Sequence, residues 1–172
     1  SDALRLARQI ASALGGDFYI LDEAFGAARV ILRGADGTRD VLDFIAMRGG
    51  SLQADLATRD FTINAIAYSL RDQTSFDPCG GAADIRAKPV RACSPQSMAQ
   101  DPVRVLRGIR LAADLGFTID KQTLVSMRAA VRELPSTSAE RKRDEIFKIL
   151  GGRRVDACMR ALDMVGALPH VL

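Results

Sequence analysis

The spacing of apolar residues changes along the chain, and each change predicts an element. Leu4, Ala7, Ala11 and Leu14 recur at helical spacing and are followed by Gly15-Gly16, so a helix is predicted over 2–14. The runs at 18–21, 28–33 and 39–48 read as three short strands, and Gly34-Ala-Asp-Gly37 between the last two is a hairpin signal. Residues 55–70, wound at about 100° per residue, put Ile63, Ile66, Ala67 and Leu70 on one stripe with Asp60 and Asn64 beside it. A strand or extended segment is predicted over 74–77, then a turn at Asp77-Pro-Cys-Gly-Gly81, a short helix over 82–87 and an extended 89–93. Beyond Ser94 the period is helical throughout. Helices are predicted over 101–115, 120–134, 138–150 and 154–165, punctuated by Gly116, Pro135 and Gly151-Gly152.

The pattern predicts an α+β fold, with an α/β part over about 1–92 and an all-helical part over about 93–172. A chain of 172 residues with 48% hydrophobic and 26% charged residues has ordinary globular composition. No apolar run approaches the roughly 20 residues that span a bilayer, and no signal-peptide pattern opens the chain, so no membrane partner and a cytoplasmic location are expected. Cys79, Cys93 and Cys158 are widely spaced without a CxxC, and read as thiols in a reducing compartment rather than zinc ligands or a disulfide frame. The single histidine, His170, argues against a histidine-based metal site or triad. Both ends look abrupt, which leads to the expectation of a piece cut from a longer protein.

Charge divides unevenly, with a net of −4 over 1–85 and +7 over 86–172. A basic second half suits a polyanion such as RNA, although scattered arginines on solvated helix faces would give the same balance.

Three constellations can carry chemistry. Arg59, Asp60 and Asn64 place a guanidinium, a carboxylate and a carboxamide together at what reads as a helix mouth. Such a set can hold a triphosphate through the arginine and a ribose through Asp60 and Asn64; an N-capped core helix with a surface ion pair would look alike. On the helix over 101–115, Val105, Leu106, Ile109, Ala112 and Ala113 share the core arc, while Arg104, Arg107 and Arg110 take the opposite side with Asp101 one turn before Arg104. A carboxylate accepts from an exocyclic amine and a guanidinium donates to a ring nitrogen, so this pair can accept cytosine or adenine and reject uracil or guanine. An exposed i, i+3 ion pair is the alternative. Asp43, in Val41-Leu-Asp-Phe-Ile45, shares a strand face with Val41 and Ile45. It is expected to be an inward carboxylate that either binds a metal or pairs with Arg48 or Arg59. Ser138-Ala-Glu-Arg141 reads as a helix start whose outer face is laced by Arg141, Glu145 and Lys148.

These residues carry a resemblance. Ala57-Thr-Arg-Asp-Phe-Thr-Ile-Asn-Ala-Ile-Ala-Tyr68 resembles the R-R-D-F-T-x-N-A signature of bacterial-type (class II) tRNA nucleotidyltransferases, the CCA-adding enzymes, and their poly(A) polymerase relatives. Asp77-Pro-Cys-Gly-Gly81, with Asp84 and Arg91, resembles the segment joining that family's head to its neck. Gln100-Asp-Pro-Val-Arg104 and the helix after it resemble the E-D-x-x-R element, and Ser138-Ala-Glu-Arg141 with Glu145 resembles the later E-R helix. The resemblance implies part of a palm-like head over 1–92 and a helical neck over 93–172. It implies that Arg59, Asp60 and Asn64 hold triphosphate and ribose and that Asp101 and Arg104 choose the base; Arg107, on the same helix, is assigned to nucleotide binding. Arg110 and Arg141 are the neck arginines assigned to RNA. The implied chemistry is attack of an RNA 3′-hydroxyl on the α-phosphate of ATP or CTP with two Mg²⁺ ions, and Asp43 matches the third, distal carboxylate of that metal site.

The departures from the family pattern are as specific. The Gly-rich G-G-x-V-R-D segment and the D-x-D metal pair are absent, so this chain alone is expected to be inactive. Thr58 stands for the first arginine of the signature, Gln100 for the glutamate before Asp101, and Leu111 for a phenylalanine. The expectation is therefore a core fragment of a template-independent nucleotidyltransferase adding CMP and AMP to tRNA. A poly(A) polymerase, an enzyme adding only C or only A, and a non-catalytic nucleotide- or RNA-binding module are the alternatives.

Overall fold

A computed structural model describes residues 2–171. The chain forms two compact units, one reaching to Ser51 and the other beginning at Leu52.

In the first unit, helix α1 (Asp2–Leu14) precedes strands β1 (Asp17–Asp22), β2 (Ala27–Arg33) and β3 (Arg39–Ile45), which form an antiparallel sheet with β2 in the centre. Ala7 and Ala11 are small enough to bring α1 down on Ala28 and Val30, and Leu4, Phe18, Leu32 and Phe44 flank that contact. Gly16 is required there: a Cβ would lie 2.6 Å from Leu32 Cδ2 and 2.9 Å from the Ile31 carbonyl. The opposite face of the sheet carries Tyr19, Arg29, Ile31, Val41, Asp43 and Ile45, and is open except at the buried Ile31. The strand predicted to run to residue 48 stops at Ile45, and Gly49 and Gly50 follow with φ of 71° and 76°.

The second unit opens with helix α2 (Leu52–Ala57) and a single 3₁₀ turn (Thr62–Asn64). A hairpin of β4 (Ala67–Ser69) and β5 (Thr74–Phe76) follows, then helix α3 (Gly81–Ala87) and strand β6 (Pro89–Val90). The helical part holds α4 (Ser97–Gln100), α5 (Arg104–Leu115), α6 (Lys121–Ala130), α7 (Ala139–Leu150) and α8 (Val155–Met164). Strand β7 (Thr118–Ile119) pairs in parallel with β6 and ties the two stretches together. One core runs through Phe61, Val90, Met98, Leu106, Ile109, Met127, Leu134, Ile149 and Leu162. Phe61 is fully buried among side chains of the helical part, so residues 52–92 pack with the helices although composition changes near residue 92. Gly108, in mid-helix α5, admits the Phe61 ring; a Cβ there would sit 2.7 Å from Phe61 Cζ.

Two predicted helices are corrected. The continuous helix over 55–70 does not form. Thr58, Thr62, Ile63 and Ile66 are β-branched, and the Asp60 carboxylate takes the Phe61 N–H at 2.8 Å. The backbone of 60–62 is drawn instead into a bridge between Phe61 and Ala92: the Thr62 N–H donates to the Arg91 carbonyl at 2.9 Å and the Cys93 N–H to the Asp60 carbonyl at 3.2 Å. The predicted stripe is correspondingly lost, with Leu70 86% exposed. The helix expected from Asp101 begins at Arg104. Pro102 holds the residue before it in the extended region, and Asp101 has φ −152° and ψ 92°. Elsewhere the helix starts are capped as their sequences suggest: Asp120 accepts from the Thr123 N–H on α6, and Ser138 from the Arg141 N–H on α7.

Candidate functional site

The segment from Thr58 to Asn64 and the first turns of α5 meet through their polar groups. Asp60 is buried and saturated. Its Oδ1 accepts from the Phe61 N–H at 2.8 Å and from Asn64 Nδ2 at 3.2 Å, and its Oδ2 accepts from Arg107 Nε at 2.9 Å and is ion-paired with Arg107 Nη2 at 2.8 Å. Arg59 is exposed and donates through Nη2 to the buried Asp55 at 2.9 Å. Asn64 is exposed, with its amide orientation fixed by Asp60.

Arg104 is only 13% exposed at its side chain. Its Nη1 donates to Ser97 Oγ at 2.8 Å, to the Ser97 carbonyl at 3.3 Å and to the Arg59 carbonyl at 3.5 Å, and its Nη2 to the Thr58 carbonyl at 3.0 Å. A guanidinium has five N–H donors. The two on Nη1 and one on Nη2 are thus occupied, which leaves Nε–H and the second Nη2–H on one edge. That edge faces Asp101, whose Oδ2 lies 3.8 Å from Nε. Arg141, from the start of α7, reaches the same Oδ2 at 2.7 Å.

Glu145 was expected on the outer face of α7 but is buried. Its carboxylate accepts from Arg110 Nε at 3.0 Å and Lys148 Nζ at 2.8 Å, with Arg107 Nη1 at 4.0 Å. Burial pushes this carboxyl up, but the bonds from Lys148 and Arg110 outweigh it and hold it below the ordinary glutamate value. Arg110, assigned to RNA from sequence, is therefore held largely inside the protein by Glu145 and Asp114. A cleft of about 200 Å³ between α5 and α7 is lined by Val103, Arg107, Arg141, Asp144, Glu145 and Lys148.

Arg59, Asp60, Asn64, Asp101, Arg104, Arg107 and Arg141 are thus joined in one contiguous network within the second unit. Asp43 belongs to the first unit. Its face is the open one, and its partner is Arg29, its cross-strand neighbour, rather than Arg48 or Arg59. Arg29 Nε reaches Oδ1 at 2.7 Å and Nη2 reaches Oδ2 at 2.9 Å, and these bonds hold the Asp43 carboxyl below its ordinary range. Among the described residues no three Asp, Glu, His or Cys side chains stand where they could share a metal ion, and Asp43 is engaged by Arg29. The residues of this chain therefore do not by themselves fit a two-metal site. Sequence reasoning missed Ser97 and the burial of Glu145. Nothing in Ser94-Pro-Gln-Ser97 signals the first, while the i, i+3 relation of Glu145 to Lys148 hinted at half of the second.

Comparison with known proteins decides the family. The "Poly A polymerase head domain" matches residues 27–91, and the "Probable RNA and SrmB- binding site of polymerase A" matches residues 116–172. The chain is 42% identical over 167 residues to the CC-adding tRNA nucleotidyltransferase of Geobacter sulfurreducens, covering 97% of this chain and 35% of that protein. It is 37% identical over 170 residues to the CC-adding tRNA nucleotidyltransferase of Synechocystis, covering 99% of this chain and 40% of that one. A tRNA nucleotidyltransferase solved with a primer tRNA and an incoming ATP analog superposes with a TM-score of 0.84 at 30% identity, over 100% of this chain and 52% of that one. This chain belongs to the tRNA nucleotidyltransferase and poly(A) polymerase family. Its α+β architecture is the head-and-neck fold of that family, as the sequence predicted. The chain spans about 35–40% of the length of these curated relatives. Among the described residues no helix is long and apolar enough to cross a membrane.

Proposed function

We propose that the protein takes part in template-independent addition of CMP and AMP to the 3′ end of tRNA, acting in the cytoplasm, and that this chain selects and holds the incoming CTP or ATP. The observation that supports this most is the anchored Arg104, whose free edge lies beside Asp101. Cytosine and adenine present an amine beside a ring acceptor. Asp101 accepts from the amine and the Arg104 edge donates to the ring nitrogen. Uracil and guanine present a carbonyl beside an N–H, which leaves carboxylate facing carbonyl and guanidinium facing N–H. Arg59 and Asn64 are the exposed groups for phosphate and ribose. Asp60 acts behind them by fixing Asn64 and Arg107, and Arg141 is the exposed neck arginine offered to RNA.

The reaction is attack of the RNA 3′-hydroxyl on the α-phosphate, with pyrophosphate leaving. Two Mg²⁺ ions are what family membership implies for this step. Since the residues here do not fit both ions, the role derived for this chain stops at choosing and orienting the nucleotide. A second reading, addition of C alone, is favoured by the names of the two relatives above. The test is incorporation into tRNA lacking its terminal nucleotides, with each triphosphate offered in turn to the full-length protein. Use of CTP and then ATP supports the first reading, and CTP alone the second. Long A tails would show a poly(A) polymerase. Nucleotide binding without incorporation would show a binding module, and efficient use of UTP would overturn the proposed base choice.

A further inference from the structure

We propose that Ser97 is a positioning residue for base selection, setting the angle of the Arg104 guanidinium; this rests on the reading of Arg104 given above. Ser97 is fully buried, on a four-residue helix that precedes Asp101 in the chain. Its hydroxyl does two things at once. It donates to the Asp60 carbonyl at 3.1 Å and accepts from Arg104 Nη1 at 2.8 Å. That carbonyl already receives the Cys93 N–H, so Ser97 is fastened to the bridge that holds Phe61 and, through the Asp60 side chain, Asn64 and Arg107.

The other anchors of Arg104 are weaker constraints. The carbonyls of Arg59 and Ser97 accept from Nη1 at 3.5 and 3.3 Å, and only the Thr58 carbonyl, at 3.0 Å on Nη2, approaches the 2.8 Å of the hydroxyl. A planar guanidinium gripped at Nη1 and Nη2 cannot rotate about its long axis. With the Nη1 grip loosened it pivots on Thr58, and the Nε/Nη2 edge no longer stays in register with Asp101. Selection by pairing edge needs that register, because the penalty for uracil comes from opposing groups that cannot turn away. Ser97 itself touches no base; it acts through Arg104.

The test is the ratio of kcat/KM for CTP to that for UTP in the full-length protein. Ser97→Ala removes the hydroxyl and is expected to lower the ratio about tenfold, the worth of one well-made hydrogen bond to a charged group. Ser97→Thr keeps the hydroxyl and is expected to retain the ratio even where its extra methyl lowers the melting temperature, which separates positioning from general loss of stability. Ser97→Ala and Arg104→Ala combined are expected to be no worse than Arg104→Ala alone. A ratio within twofold of wild type in Ser97→Ala, while Arg104→Ala abolishes selection, would overturn the proposal and leave the base-choice reading intact. An unchanged ratio in Arg104→Ala would overturn that reading itself. If Ser97→Ala does not fold, Ser97→Cys, close in size with a weaker donor and acceptor, decides the matter: a several-fold loss of selection supports the proposal and a wild-type ratio refutes it.

Discussion

Replacing Asp60 with Asn separates two roles that the same residue could have. As an exposed ribose ligand it would matter only when nucleotide is bound. In the structure it is a buried junction, with three hydrogen-bond donors on its two oxygens and Arg107 Nη2 ion-paired at 2.8 Å. Asparagine keeps one oxygen and puts an NH₂ in place of the other. With its oxygen toward Phe61 and Asn64, the NH₂ faces the Arg107 guanidinium, and the charge-assisted bond from Nε and the ion pair with Nη2 are lost. With its oxygen toward Arg107, the buried Phe61 N–H is orphaned. Either loss is worth about 1–3 kcal/mol. Arg107 is 39% exposed and can turn to water, which discounts the first orientation, so about 2 kcal/mol is expected. Urea unfolding measures this as a lower midpoint at unchanged slope. A cycle with Arg107→Ala should show coupling of about 1 kcal/mol or more between the two positions. A stability change below about 0.5 kcal/mol, with nucleotide affinity lost, would refute the junction and return Asp60 to the ribose.

Three further outcomes are expected. Gly81→Ala drives a Cβ into the Thr62 carbonyl, a backbone atom that cannot give way cheaply, so about 3 kcal/mol and roughly 10 °C in Tm should be lost; an unchanged melt would contradict the packing of α3 on the 3₁₀ turn. Glu145 is held below its ordinary value near 4.5, so its contribution is complete above that pH and is lost as pH falls through the lower native value. Urea midpoints should therefore decline below about pH 4.5, with a shallower decline in Glu145→Gln; identical slopes would contradict the pairing with Arg110 and Lys148. Burial first, and the neighbouring Cys79 next, push the Cys93 thiol up to about 12, so iodoacetamide at pH 8 should alkylate it at least 100-fold more slowly in the native than in the unfolded protein, and equal rates by mass spectrometry would contradict its surroundings.

Much of this molecule was legible in sequence because its signals are local. Leu4, Ala7 and Ala11 mark α1, Gly34 to Gly37 mark the β2–β3 hairpin, and Asp120 and Ser138 announce their helices. The failures share one cause, which is pairing with distant residues. The segment 58–64 carries helical spacing, but its backbone bonds to 91–93, some thirty residues away. Asp101 reads as the first residue of a helix until Pro102 is given its steric weight. Of the site, the residue types were visible and their partners were not. Asp60 and Arg107, Asp101 and Arg141, and Arg110 and Glu145 are pairs separated by 47, 40 and 35 residues. Ser97 had no signal at all, because a buried hydroxyl that supports another side chain leaves no pattern. Asp43 kept its predicted face, but that face is open, and the arginine opposite it in the strand register claims it.

The central claim is that one edge of Arg104 and the carboxylate of Asp101 read the pairing edge of the incoming base. A crystal structure of the full-length protein with CTP tests it directly. The account predicts the cytosine amine on Asp101, the ring nitrogen on the Nε/Nη2 edge of Arg104, and the Nη1 bonds to Ser97 retained. Cytosine bound elsewhere, or seated here with Arg104 turned away from its ring nitrogen, would contradict it.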